Sequence, residues 1–160
     1  MSSNLLILGA GQYGALVYEL AESLGCYDKI SFLDDCLSEG VVGGFVDAKK
    51  LLEEYSCAIV AIGNSDLRLK LLNQLEEMGY EIPVLIHSTA YVSPSAVIAK
   101  GSIIEPLALV QTGVTIGKGC LISSGAVVNH NAIVCDGCHI DCNATVPARA
   151  TVPYNTKITR

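Results

Sequence analysis

The chain predicts two architectures in series, a small parallel α/β sheet of Rossmann type over residues 1–84 and a parallel β-helix of hexapeptide repeats over residues 85–160. Three observations carry this prediction. Every sixth residue from Ile86 to Ile158 is a branched aliphatic, a period that neither a helix nor an ordinary strand has. Gly9, Gly11 and Gly14 follow an apolar run and open a stretch with helical spacing. Between that stretch and Pro83, strand-like and helix-like segments alternate, the pattern of a parallel sheet with crossover helices.

Taken in order, Leu5 to Leu8 read as a buried strand running into the glycines, and Leu16, Val17, Leu20, Ala21 and Leu24 mark one face of the helix that follows. A second strand, Ile30 to Leu33, ends at Asp34 and Asp35. A helix from Asp47 to Tyr55, a strand Cys57 to Ile62 ending in Gly63-Asn64, a helix Ser65 to Met78 and a strand Val84 to Ile86 complete the sheet. In such a sheet the ligand crevice lies at the carboxyl ends of the strands, where Gly9, Gly11, Gly14, Asp34, Asp35, Gly63 and Asn64 all fall. A glycine loop opening a helix lets the backbone approach a phosphate held at the helix N-terminus. The spacing alone fits a dinucleotide, a nucleotide-sugar, or close packing of strand against helix. About 84 residues make half the usual dinucleotide fold, which suits a mononucleotide-sized ligand.

In the second half, compact residues such as Ala108, Cys120, Ala126, Ala132, Cys138 and Ala144 lie four positions after the aliphatics. Three positions after them stand Gly101, Gly113, Gly119, Gly125, Asn131, Gly137, Asn143 and Asn155, residues that tolerate a left-handed backbone and so mark turns. Three hexads make one coil of a triangular prism, with each residue stacked on the one eighteen positions earlier, about 4.8 Å away.

Composition narrows the function. Residues 1–84 carry five Lys/Arg against thirteen Asp/Glu and residues 85–160 five against three, so no basic surface is clustered for nucleic acid. No apolar run reaches membrane-spanning length and no basic leader precedes Leu5, so a cytoplasmic protein without a membrane partner is expected. Seven cysteines, an odd number, favour reduced thiols. Cys135, Cys138, His139 and Cys142 have spacings seen in haem and zinc sites, but the hexad register spreads them around the coil, with Cys138 stacked inward on Cys120. A structural reading follows, with no metal.

Of three histidines, His87 reads as a junction residue, whereas His130 occupies a corner beside the turn residue Asn131 and points outward, where a general base would be useful. Gly9-Ala-Gly-Gln-Tyr-Gly14, Phe32-Leu-Asp-Asp35, Ala61-Ile-Gly-Asn64 and a hexapeptide prism carrying Asn129-His130 together resemble the sugar O/N-acyltransferases. That family includes sialic acid O-acetyltransferases and nucleotide-linked amino-sugar N-acetyltransferases.

The resemblance implies a left-handed β-helix, a homotrimer, acetyl-CoA bound between adjacent prisms as co-substrate and a UDP-type nucleotide-sugar on the first domain. It implies that His130 is the catalytic base, oriented by Asn131 through its amide oxygen where relatives carry an acid, and that His139 lies near the acyl group of the cofactor. Asp34 and Asp35 match positions contacting the base, Gly9, Gly11, Gly14 and Gly63 frame phosphates and sugar, and Tyr13 replaces a histidine common near the sugar. The chain stops at Arg160 within the hexad series, so the second domain reads as C-terminally truncated. The expected activity is N-acetylation of a nucleotide-linked amino sugar. The alternatives are O-acetylation of a sialic acid type sugar, or a catalytically impaired trimer that only binds sugar nucleotides. A zinc hydrolase on the same prism would need three converging histidines, and an NAD-dependent oxidoreductase would have only the glycine loop.

Overall fold

The computed structural model describes residues 3–160, and the chain divides into two compact units after Pro83. In the first unit β1 (Asn4–Leu8), β2 (Lys29–Leu33), β3 (Val41–Gly43) and β4 (Cys57–Val60) form a parallel sheet in the order β3-β2-β1-β4. Strand β1 is buried on both faces, which is why Leu5 to Leu8 read as a continuous apolar run instead of an alternating one. Leu6, Leu8, Ala58 and Val60 share a core with Leu71, Leu72 and Leu75 of α3 (Ser65–Met78). Helix α1 (Gln12–Leu24) buries Gly14, Val17, Leu20 and Ala21, and α1 and α3 each end on a left-handed glycine, Gly25 and Gly79.

Three elements differ from the sequence expectation. The helix expected over Asp47 to Tyr55 is a 3₁₀ turn, Phe45–Asp47, followed by one turn of α-helix, α2 (Ala48–Leu51). It stops there because Tyr55 turns inward to full burial, its hydroxyl donating to Ser31 Oγ at 2.8 Å. Strand β3 carries only Val41 and Val42 between glycines, too little pattern to announce a strand. The segment expected as the last strand of the sheet belongs to the second unit, and beside β4 the chain makes one bridge only, Cys57 to Glu81.

The second unit contains thirteen two-residue strands, β5 to β17, running in order Leu85–Ile86, Tyr91–Val92, Val97–Ile98, Ile103–Ile104, Leu109–Val110, Thr115–Ile116, Leu121–Ile122, Val127–Val128, Ile133–Val134, His139–Ile140, Thr145–Val146, Thr151–Val152 and Lys157–Ile158. They pair in parallel on three faces, β5-β8-β11-β14-β17, β6-β9-β12-β15 and β7-β10-β13-β16, each strand eighteen residues from its neighbour. The hexad aliphatics and the compact residues form one buried ladder inside, from Ile104 and Ala108 to Val152. Each fully buried aliphatic contributes about 1.5–3 kcal/mol. The turns repeat a positive φ at Gly101, Gly113, Gly119, Gly125, Asn131, Gly137, Asn143 and Asn155, and also at Leu107 and Arg149, where residue type gives no hint of it.

Cys120 and Cys138 lie in the inward slot, their thiols 3.1 and 2.9 Å from the carbonyls of Cys135 and Pro153, while Cys142 is exposed. Among the described residues no group of three or more His, Cys, Asp or Glu gathers as a metal site, and no helix is long and apolar enough to cross a membrane.

Candidate functional site

The carboxyl ends of β1, β2 and β4 carry the first set of residues. Gly9 has φ +106°, and a Cβ there would lie 2.7 Å from the Ala61 carbonyl oxygen, so the ends of β1 and β4 approach this closely only without a side chain. A Cβ on Gly14 would collide with the carbonyl oxygen of Gly9. Gly11 is different. Its φ of −76° is ordinary and nothing lies within 4 Å of where its Cβ would be, so neither backbone conformation nor internal packing requires a glycine. The same open space surrounds Gly63.

Gly11 is the N-cap of α1 and offers no side chain to the first N–H groups of the helix, whose first turn contains no acid. Such a terminus attracts an anion. Tyr13 stands half-buried in that first turn.

Asp34 accepts from Ala10 N–H and from Cys36 N–H, both at 2.8 Å, and these backbone bonds hold its carboxyl below the usual range. Both of its oxygens therefore splint the glycine loop to the end of β2. Asp35 accepts from Phe45 N–H at 3.0 Å, and Asn64 caps α3 by accepting from Leu67 N–H at 2.9 Å. Sequence reasoning missed Arg68, which is fully buried and donates to the carbonyls of Ile62 (2.8 Å) and Gly63 (3.2 Å), fixing the loop after β4. On a helix beside Asp66, Lys70 and Glu76 it reads as one more surface charge.

In the prism, His130 follows β12 at an exposed corner, its N–H bonded to Gln111 Oε1 at 3.0 Å and its carbonyl accepting from Arg149 N–H. Asn131 holds φ 57°, with its amide oxygen packed toward Gly113 one coil earlier and Nδ2 3.3 Å from His130 Nδ1. It is thus the nitrogen of the amide that faces the ring here, and the oxygen would do so after a half turn. In this arrangement Nδ1 accepts and the proton of the neutral ring sits on Nε2; a half turn of the amide would free Nε2 to act as a base. His87 is tied to its own turn, its Nδ1 accepting from Thr89 N–H.

His139 lies in β14 on another face of the prism, so the coil does not bring it to His130. Its Nε2 is 2.9 Å from Ser123 Oγ and 3.8 Å from Asp141 Oδ1. Asp141 is held below the usual carboxylate range, first by Cys142 N–H and then by Lys157, whose Nζ lies 3.2 Å away. Behind Ser123 lies Glu105, only 2% exposed, accepting from Ser123 Oγ, Ser124 Oγ and Ser124 N–H. The sequence signal for Glu105 and Ser123 is their spacing of eighteen residues, one full coil.

Comparison with known proteins bears on both units. Residues 4–75 match the PglD N-terminal domain, and residues 95–130 match the bacterial transferase hexapeptide (six repeats). The acetyltransferase domain of PglB from Neisseria gonorrhoeae FA1090, solved in complex with acetyl coenzyme A, superposes with a TM-score of 0.85 at 31% identity over 98% of this chain and 85% of that one. The chain belongs to the hexapeptide-repeat sugar O/N-acyltransferase family. Within that family it is 31% identical over 109 residues to UDP-N-acetylbacillosamine N-acetyltransferase of Bacillus subtilis (strain 168), a match covering 63% of this chain and half the length of that curated relative. WeeI from Acinetobacter baumannii AYE shares the fold, with a TM-score of 0.80 at 20% identity over 94% of this chain and 73% of that one. As in this family, the prism is a left-handed β-helix.

Proposed function

We propose that the chain is an acetyl-CoA-dependent N-acetyltransferase acting on a UDP-linked amino sugar. The observation that carries this reading is Gly11: a helix N-terminus suited to an anion, capped by a glycine that nothing inside the protein requires, on the same chain as a hexapeptide prism with an outward histidine. The Neisseria domain's complex with acetyl coenzyme A supports the cofactor, and the Bacillus relative's name supports the sugar nucleotide.

In this reading the diphosphate lies against Gly11 and the first N–H groups of α1, with Gly63 and Asn64 bordering the sugar, Tyr13 beside it, and Asp35 near the base. Gly9, Gly14 and Asp34 hold the loop in shape. The sugar amine attacks the thioester carbonyl as His130 takes its proton; the new C–N bond forms, the C–S bond breaks, and the proton passes to the departing thiolate. Asn131 orients His130, and His139 lies near the acyl group. The exposed row Val97, Thr115, Ile133 and Thr151 on the β7-β10-β13-β16 face suits a homotrimer, which would place acetyl-CoA between prisms. Seven free cysteines suit the reducing cytoplasm.

One observation favours a second reading, a trimer that binds sugar nucleotides without turnover: the residue beside His130 is the uncharged Asn131, which supplies no charge to an imidazolium. Thiol release from acetyl-CoA in the presence of a UDP-linked amino sugar separates the two. The enzymatic reading expects sugar-dependent release that falls by roughly 10²–10⁴ in His130→Ala with sugar-nucleotide affinity unchanged. Binding of both ligands without release would establish the second reading.

A further inference from the structure

We propose that Glu105 is a buried positioning residue that acts through Ser123 to fix His139 as the Nε2–H tautomer. With Glu105 ionised, the bonds it makes through Ser123 favour one direction. A carboxylate has no proton to give, so the single hydroxyl proton of Ser123 goes to Glu105 Oε1 at 3.2 Å. Ser123 Oγ, 2.9 Å from His139 Nε2, is then left to accept, and Nε2 must carry the proton. Two further donors, Ser124 N–H at 2.9 Å and Ser124 Oγ at 3.2 Å, converge on Glu105 Oε2 and compensate an ionised carboxylate that is 2% exposed. Asp141 Oδ1, at 3.8 Å from Nε2, adds an acceptor on the same side of the ring.

The arrangement follows from the prism. Glu105, Ser123 and Asp141 occupy equivalent positions after β8, β11 and β14, one coil apart, so a polar column replaces the usual repeat beside His139. Its consequence for function rests on the reading proposed above. In the Nε2–H tautomer the other ring nitrogen, Nδ1, can only accept, so the ring would not donate from Nδ1 to an oxyanion.

The test is a long-range proton–nitrogen correlation spectrum of protein labelled with ¹⁵N-histidine, in which three histidines give three ring patterns and His139→Gln assigns one of them. Wild type should show His139 with Nε2 protonated and Nδ1 bare. In Glu105→Gln, which keeps the shape but can donate to Ser123, that pattern should give way to the Nδ1–H form or a mixture. In Ser123→Ala, which leaves Glu105 its Ser124 donors, the single tautomer should also be lost, so the test survives if the first variant does not fold. An Nδ1–H pattern in wild type, or an unaltered Nε2–H pattern in either folded variant, overturns the proposal. The expected spectra from a protein that transfers no acetyl group would leave the positioning intact and defeat only the enzymatic reading.

Discussion

The two units build a site in opposite ways. In the N-terminal sheet the residues singled out do not repeat: they gather at the ends of three strands, β1, β2 and β4, and backbone groups with two carboxylates, Asp34 and Asp35, hold the loops there. In the prism the pattern recurs every eighteen positions, and a candidate site shows as a break in that repeat, as at His130, or at Glu105 and Ser123 beside His139. In the sheet a glycine must therefore be weighed by what its missing Cβ would touch. In the prism a side chain must be weighed by what its stacked neighbours would have been.

The largest difference is expected between two glycines of one loop mutated separately. Gly14→Ala should destabilise the first unit by about 1–3 kcal/mol, the range for overpacking, because the methyl meets the Gly9 carbonyl. Gly11→Ala should change stability by no more than about 0.5 kcal/mol. Gly11→Val should keep the fold and lose the sugar nucleotide. Chemical denaturation and nucleotide titration read the two effects, and a Gly11 variant as unstable as the Gly14 variant would remove the distinction.

Asn131→Asp sharpens the prism side. A carboxylate can only accept, so it should hold the proton on His130 Nδ1 and stabilise the imidazolium that forms as the ring takes a proton. Because a base must be unprotonated to act, the acid limb of kcat/KM should move to higher pH, while the plateau rate rises. An unmoved limb would mean that Asn131 does not control the ring.

A smaller effect belongs to Asp34, whose folded-state pKa is depressed by the Ala10 and Cys36 N–H groups. Its contribution is present above the unfolded value near about pH 4 and is lost as pH falls through the lower folded value. Asp34→Asn should cost about 1 kcal/mol at neutral pH, since the site is partly solvated, and should flatten the acid side of the stability profile. A variant with an identical acid profile would show that the splint contributes nothing. The smallest effect should come from Leu107, 70% exposed with φ 62°, where Leu107→Gly removes a left-handed penalty and stabilises by about 0.5–1 kcal/mol. Destabilisation there would show that the Leu107 side chain contributes more than its backbone costs.

The prism was legible because stacking imposes one period on many residues, and the glycine loop because β1, the turn and α1 are contiguous. Leu107 and Arg149 were not, since the repeat forces their backbone whatever the side chain. The segment Val84 to Ile86 satisfies both a buried strand of a sheet and the first hexad, and only pairing with β8 decides between them. Glu105 and Ser123 beside His139 become visible in the sequence once the coil length of eighteen is applied to polar residues as it was to aliphatic ones. Arg68 has no such signal, because its burial depends on where the loop after β4 folds back.

Everything proposed for the two units converges on acetyl transfer to nitrogen. It is tested most directly by the mass and fragmentation spectrum of a UDP-linked amino sugar after incubation with this protein and acetyl-CoA deuterated in the acetyl methyl group. The deuterated acetyl group is expected as an amide on the sugar nitrogen. An unmodified amino sugar from protein that binds both ligands, or the label recovered as an ester on a sugar hydroxyl, would contradict it.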